Sequence, residues 1–489
     1  MKLRELIKDI KDMAFTGTSN PEIIGLSLDS RKVSKDFLFA AIPGTLMDGH
    51  NYISEAIREG ASAILCEVFP DQCSESVAYM VVPDTGEALG KICSRFYDQP
   101  DQDLQIIGIT GTNGKTSIAT WLFDLGGKLG YPCGLISTIR VMIRGNSYPA
   151  SHTTPDVISL YNYLHLMVKA GCQYVFMEVS SHALHQNRVA GLRFTGAVFT
   201  NLTRDHLDYH HDFPAYLSAK KTLFDNLDRN AFALVNHDDK NAEVMLQNSS
   251  ARPVRFSTWS ITDYHGKLIE QISQAMLIQI NGKELWVPFI GRFNASNLTA
   301  VYGVSRELGW KDEEILTGMS SMQQVEGRFE RFDLGEQITG IVDYAHTPDA
   351  LENVLETIRD MCSTGQRIIT VIGAGGNRDK GKRPKMAYVA CQKSDIVILT
   401  SDNPRSESPD KIIEDMKDGI PSEMESRVFS ITNRREAIKL GFAMSNSGDF
   451  LLVAGKGHEN YQEINGERHH FDDREELLRM KSTKKIKRR

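Results

Sequence analysis

Between Ile106 and Ser117 the chain reads Ile-Ile-Gly-Ile-Thr-Gly-Thr-Asn-Gly-Lys-Thr-Ser. The apolar run 106–109 reads as a buried strand, and Gly111 and Gly114 mark a loop. Lys115 opens a helical segment to about Lys128. Strand, glycine loop and helix N-terminus in that order make a cradle for phosphate. Glycine lets backbone N–H groups approach phosphate oxygens without a Cβ clash. Lys115 would reach the β- and γ-phosphates, and the Thr116 hydroxyl would ligate Mg²⁺. Gly111, Thr112, Asn113, Gly114, Lys115, Thr116 and Ser117 are therefore candidates for ATP binding. The spacing departs from the common G-x-x-x-x-G-K-[ST] form, because Ile109 stands one residue after Gly108. The plain alternative is a glycine-rich turn with a chance Gly-Lys-Thr.

Two further polar clusters each follow an apolar run. Tyr174–Met177 leads into Glu178-Val-Ser-Ser-His182, and Gly196–Thr200 leads into Asn201-Leu-Thr-Arg-Asp-His-Leu-Asp-Tyr-His-His211. Acidic residues just past parallel strands are well placed to hold Mg²⁺ at the carboxyl edge of a sheet. His206 and His210 could pair on zinc, but the intervening Glu of the zincin pattern is missing. Lys220, beside Lys221, reads from sequence alone as a solvated helix lysine. No Ser-His-Asp or Cys-His arrangement for a covalent nucleophile stands out.

The elements that must position these groups follow from length and pattern. At 489 residues the chain exceeds one ordinary core and suggests about three domains. We place them at 1–97, 98–333 and 334–489. Hydrophobic content of 41% and charged content of 24% are those of a globular protein. The net charge of -7 gives no reason to expect nucleic acid as a partner. No apolar run approaches a membrane span and the N-terminus has no signal core. Seven scattered cysteines with no C-x-x-C fit reduced thiols in the cytoplasm. In the first part, Ala63–Cys66 and Ala78–Val82 alternate with helical segments. Ser151-His-Thr-Thr-Pro155 follows a polar stretch with the composition of a mobile loop. Met276–Phe289 alternates around Asn281-Gly282, a hairpin signal. Gly291–Asn297 opens a helix. In the last part Ile368–Ile372, Asp395–Leu399 and Phe450–Val453 read as strands of an open parallel sheet. Each ends in a polar constellation: 373–384, Asp402-Asn-Pro-Arg405 and Ala454–Glu459. Ligands bind at such strand ends. Gly373-Ala-Gly-Gly is an incomplete dinucleotide fingerprint. The basic tail 484–489 reads as a solvated terminus.

The loop G-x-T-G-T-N-G-K-T, E-V-S-S-H, T-N-L-x-R-D-H-L-D-Y-H and D-Y-A-H-T-P together resemble the Mur ligases, and more narrowly the members that add a third amino acid. The resemblance runs from about residue 28 to 459. It implies an α/β fold of three domains: an N-terminal UDP-binding one, a central P-loop mononucleotide-binding one and a C-terminal Rossmann-like one. It implies ATP and Mg²⁺, and ligation of meso-2,6-diaminopimelate to the D-glutamate γ-carboxylate of UDP-N-acetylmuramoyl-L-alanyl-D-glutamate in peptidoglycan synthesis. Carried over by position, Thr116, Glu178, His206 and a carbamylated Lys220 would hold metal, with Lys115 on the phosphates. Asn294, Asn297, Arg328, Asp343 and His346 would complete the ATP site. Leu28, Ser30, Thr45, Leu46, Met47, His152, Thr153, Thr154, Ser180, Gln186 and Arg188 would bind the UDP substrate; the family usually has Asn at the place of His152. Arg378, Asp402, Asn403, Pro404, Arg405, Gly455 and Glu459 would bind the amino acid. Three alternatives are the same step with L-lysine, another Mur or folylpolyglutamate-type ligase, and a non-catalytic nucleotide switch built on the same loop.

Overall fold

The isoleucines of 106–109 form a strand, Gln105–Thr110 (β1), because β-branched side chains pack well on a pleated surface. Successive residues face opposite ways: Ile106 enters one apolar cluster, Ile107 and Ile109 another. Both faces are thus covered, as parallel strands require. The protein is described by a computed structural model covering residues 1–17, 20–44, 47–71 and 73–487, with side chains as far as Lys481. Among these residues β1 lies inside an eleven-stranded sheet. It pairs in parallel with Tyr174–Glu178 (β2) on one side and Gly196–Phe199 (β3) on the other. The helix after β1, Lys115–Lys128 (α1), spans the residues expected. It buries Ile118, Trp121, Leu122 and Leu125 against the sheet. Phe213–Asp225 (α2) covers the opposite face, capped by Asp212, whose side chain accepts from the Ala215 N–H.

Antiparallel ribbons extend both ends of this sheet. Met276–Ile280 and Lys283–Val287 flank Asn281-Gly282, both at positive φ, as the hairpin signal required. The other ribbon corrects an expectation. The polar stretch before Ser151 is a second hairpin, Arg140–Ile143 against Asn146–Pro149. Its turn, Arg144-Gly145, is also at positive φ for both residues. Only Val141 and Ile143 are buried in it, so its sequence looks polar. Arg292–Glu307 (α3) then packs beside α1 and the extended sheet.

The third sheet has six strands and runs from Glu330–Asp333 through Thr339–Asp343 (β4), Phe450–Ala454, Ile368–Ala374 (β5) and Ile396–Ser401 (β6) to Val428–Ser430. In chain order Phe450–Ala454 is β7. All pairings are parallel except the first, where Glu330–Asp333 runs antiparallel to β4. That sheet begins four residues before the boundary read from the sequence. Pro348–Met361 (α4) follows β4, its N-terminus capped by Thr347 with Pro in the first turn. A five-stranded, mostly parallel sheet is built from residues 14–81.

Candidate active site

The loop between β1 and α1 is tightly specified. Gly111 has φ +145°, and a Cβ there would meet Thr200 Oγ1 at 1.9 Å. Gly114 has φ +90°, and its Cβ would meet Asn297 Oδ1 at 2.6 Å. Any other residue at either place would push the loop off its neighbours. Asn201 holds the loop from the end of β3: its backbone O accepts from Thr112 N at 2.9 Å and its Oδ1 from Asn113 N at 3.0 Å. Thr200 Oγ1 donates to Asn113 O at 2.6 Å.

Lys115 is folded onto its own loop, donating to Gly111 O and Thr112 O, both at 2.8 Å. Lys220 is fully buried and donates to the same Gly111 O at 2.8 Å. Its expected place as a solvated lysine is therefore wrong; α2 turns it inward while Lys221 pairs with Asp225 at the surface. Burial drives the Lys220 amine well below its usual range, and the Lys115 charge adds to that. Burial also lowers Lys115. The Tyr216 ring, one turn earlier on α2, lies 4.7 Å below the Lys220 nitrogen.

The loop opens onto a cavity of about 560 Å³. Around it stand Thr112–Ser117, Glu178, His206, Lys220, Asn297, Arg328, Asp343 and His346, together with His152, Thr153, Ser180, Arg188 and Arg378. Glu178 is fully buried at the end of β2; its Oε1 accepts from Thr138 N at 2.7 Å. The Thr138 hydroxyl lies 3.1 Å from both Glu178 Oε2 and Thr153 Oγ1. Thr154 donates to Glu178 O, Ser180 N donates to Thr154 Oγ1, and Arg188 donates to Thr154 O and to Gln186 Oε1. These residues form one connected network behind the carboxylate. Arg328 donates to Thr116 Oγ1 at 3.0 Å and lies over the Tyr344 ring. Burial raises the Asp343 carboxyl, which accepts from Phe329 N and Ala345 N.

Family models cover most of the chain. One described as the Mur ligase middle domain matches residues 109–305, one as the Mur ligase glutamate ligase domain 327–457, and one as the Mur ligase family catalytic domain 22–97. A curated relative from Phocaeicola vulgatus, named UDP-N-acetylmuramoyl-L-alanyl-D-glutamate–2,6-diaminopimelate ligase, is 50% identical over 477 residues, 98% of this chain and 99% of its own. The chain belongs to the Mur ligase family. A solved structure with the same ligase name superimposes with a TM-score of 0.69 at 34% identity, covering 99% of both chains. A Mur ligase solved with ADP, MurF from Thermotoga maritima, shares the fold at 17% identity, with a TM-score of 0.62 over 95% of this chain and 98% of its own.

Other expected residues of this Mur ligase lie away from the cavity. Asn294 is turned from it, its amide donating to Ile290 O at 2.8 Å, while Asn297 three residues on lines the cavity. Leu28 packs against the core of the N-terminal sheet, and Ser30 donates to Glu55. Met47 is 68% exposed. None of these three lines the cavity, and Thr45 and Leu46 lie outside the described residues. Three of the amino-acid candidates, Arg378 from the cavity lining, Asn403 and Arg405, meet around Gly375, where a Cβ would lie 3.2 Å from Arg405 Nη1, 3.7 Å from Arg378 Cγ and 4.0 Å from Asn403 O. Arg405, at φ +54°, donates to Gly376 O at 2.6 Å. Gly455 N donates to Asp343 O, Pro404 O accepts from Glu407 N, and Asn403 donates to Glu459. Burial opposes ionisation of Asp402, but Lys456 and Arg434 hold its carboxyl below the usual range.

Sequence reading missed Asp205. It is buried, with His206 at 3.3 Å, His346 at 3.4 Å and Lys382 at 3.3 Å. Burial opposes its charge, yet these three partners keep it well below the usual carboxylate range. Its Lys382 partner lies 177 residues away in sequence, so no local spacing signals the pair. Asp349, on α4, was also missed; it accepts from Asn113 Nδ2 at 3.2 Å.

The donor set fits Mg²⁺. Thr116 and Glu178 offer oxygen, the donor type that Mg²⁺ takes, and burial holds the His206 imidazole well below its usual range. No group of three His, Cys, Asp or Glu that could hold a metal occurs among the described residues. His210, the other half of the zinc pair, is hydrogen-bonded to Ser181.

Proposed function

We propose that this chain is an ATP-dependent ligase that joins meso-2,6-diaminopimelate to the D-glutamate γ-carboxylate of UDP-N-acetylmuramoyl-L-alanyl-D-glutamate, in peptidoglycan synthesis. The observation that carries the reading is 50% identity, along nearly the whole chain, to a ligase of that name. The chemical problem is that a carboxylate does not react with an amine. The γ-carboxylate attacks the γ-phosphorus of ATP, ADP leaves, and an acyl phosphate forms. The amine then attacks the acyl carbon and inorganic phosphate leaves, the amine's proton going to base or solvent. Lys115 would pair with the phosphate oxygens and Arg328 would lie beside them. The Arg188 network would hold the muramoyl-dipeptide. Mg²⁺, held by Thr116, Glu178, His206 and a carbamylated Lys220, would neutralise charge on the transferred phosphoryl group. The Lys220 geometry supports the carbamate: a buried amine driven towards its neutral form is the nucleophile that carbon dioxide needs.

Choice of amino acid would rest on Arg405 and Arg378. Diaminopimelate differs from lysine by a carboxylate on the distal carbon, and a guanidinium answers a carboxylate with two parallel hydrogen bonds. Asn403 and Glu459 would take the amino-acid head group. The seven free thiols support a cytoplasmic setting. No described helix is long and apolar enough to cross a membrane.

The test is ADP release from ATP and UDP-N-acetylmuramoyl-L-alanyl-D-glutamate, with meso-diaminopimelate or L-lysine at equal concentration. Release with diaminopimelate and little with lysine is expected. Arg405→Ala should erode that preference, because a buried charge left without its partner costs about 2–5 kcal/mol. Equal use of lysine by the wild type would overturn the assignment.

A further inference from the structure

Lys456 is absent from every role assigned above, yet it is fully buried at the centre of the amino-acid candidates. Its nitrogen donates to Asn403 Oδ1 and to Glu459 Oε2, both at 3.1 Å, and stands 3.8 Å from Asp402 Oδ1. The Tyr461 ring centroid is 5.5 Å away. Asn403 Nδ2 donates to the same Glu459 Oε2 at 2.8 Å, and Glu463 N donates to Asn403 Oδ1 at 2.9 Å.

Counting donors and acceptors shows what this arrangement leaves over. The amide oxygen of Asn403 accepts two hydrogen bonds, which fills its two lone pairs. Its amide nitrogen has used one of two protons. Glu459 Oε2 accepts two, whereas Oε1 accepts none among the described residues. One amide N–H and one carboxylate oxygen therefore remain uncommitted, side by side. A donor next to an anionic acceptor is complementary to the carboxylate and ammonium of an amino acid.

We propose that Lys456 is a positioning residue for the amino-acid substrate, fixing the amide of Asn403 with its oxygen inward and pinning Glu459 by one oxygen, so that the free N–H meets the substrate carboxylate and the free Oε1 meets its ammonium. The proposal rests on the reading of this pocket as the amino-acid site. Without Lys456 the amide loses one of the two donors that set its orientation. Turned over, it would present its oxygen to a carboxylate. Glu459 would lose its only cationic partner within 4 Å among the described residues.

The test is a set of steady-state KM values for meso-diaminopimelate, UDP-N-acetylmuramoyl-L-alanyl-D-glutamate and ATP, on the wild type, Lys456→Met and Lys456→Gln. For Lys456→Met the KM for diaminopimelate should rise about 10- to 100-fold, the scale of one or two lost charge-assisted hydrogen bonds, with the other two KM values within about twofold. Lys456→Gln can still donate to both acceptors and should fall between. If Lys456→Met does not yield folded protein, Lys456→Gln decides by the same split. An unchanged KM for diaminopimelate, or all three KM values rising together, would overturn the proposal. A wild type that releases no ADP with diaminopimelate would instead bring down the ligase reading on which it stands.

Discussion

At the scale of single residues, two lysines on one carbonyl oxygen are the centre of the site. Lys115 and Lys220 both donate to Gly111 O, and burial weakens the charged form of each. As an ammonium Lys220 would repel a metal; as a carbamate it would become an oxygen ligand. Lys220→Ala is expected to lower turnover by about 100-fold or more, as when one preorganised charge-stabilising group is removed. Added short carboxylic acids should restore part of it, measured as ADP release. Full activity in the alanine variant would refute the role. Sequence revealed Lys115 because its loop is a local pattern of glycines and a helix start. It could not reveal that Lys220 is buried and Lys221 is not, since packing of α2 against a loop 109 residues away decides that. Asp205 was likewise hidden: it sits in a legible polar cluster beside its partner His206, but its other two partners, His346 and Lys382, come from the third part of the chain.

At the scale of elements, the strands and helices were legible wherever a local period or cap specifies them. α1 covers the span expected, β1, β2 and β3 fall on the apolar runs, and the Asn281-Gly282 hairpin forms. The hairpin before Ser151 was not legible, because it buries too few side chains to leave a period in the sequence. α2 offers a test of how an element serves the site. Asp212 caps its N-terminus, and Asp212→Ala should cost about 1 kcal/mol in stability. A modestly lowered melting temperature by circular dichroism is the expected result. Because α2 carries Lys220, activity should fall further than the population of folded protein does. An unshifted melting curve would show that the cap contributes nothing.

At the scale of the whole molecule, polar pairs join the middle and third sheets across the cavity. Asp205 takes Lys382 and His346, Asp379 takes Arg204, and Asp349 takes Asn113. Glu326 joins Arg140 to Arg474 at another point. Lys382→Met should loosen this seam without unfolding either part. The expected signs are a larger radius of gyration in solution scattering, an intact circular-dichroism spectrum and reduced turnover. An unchanged radius with full turnover would show that the pair does not hold the parts together. The Gly111 carbonyl shared by Lys115 and Lys220 carries one more consequence. Burial works against the Lys115 charge held on that acceptor, so the nucleotide pocket is a place where the fold works against itself. A polyphosphate bound there supplies the missing counter-charge, so thermal endurance becomes tied to the supply of nucleotide. Nucleotide at 100 times its dissociation constant should add about 2.7 kcal/mol to stability. Thermal melts with and without ADP would register this as a clear upward shift. In a starved cell such a protein would lose its partner anion and its resistance to heat and proteolysis together, so that its lifetime would follow the energy state of its surroundings.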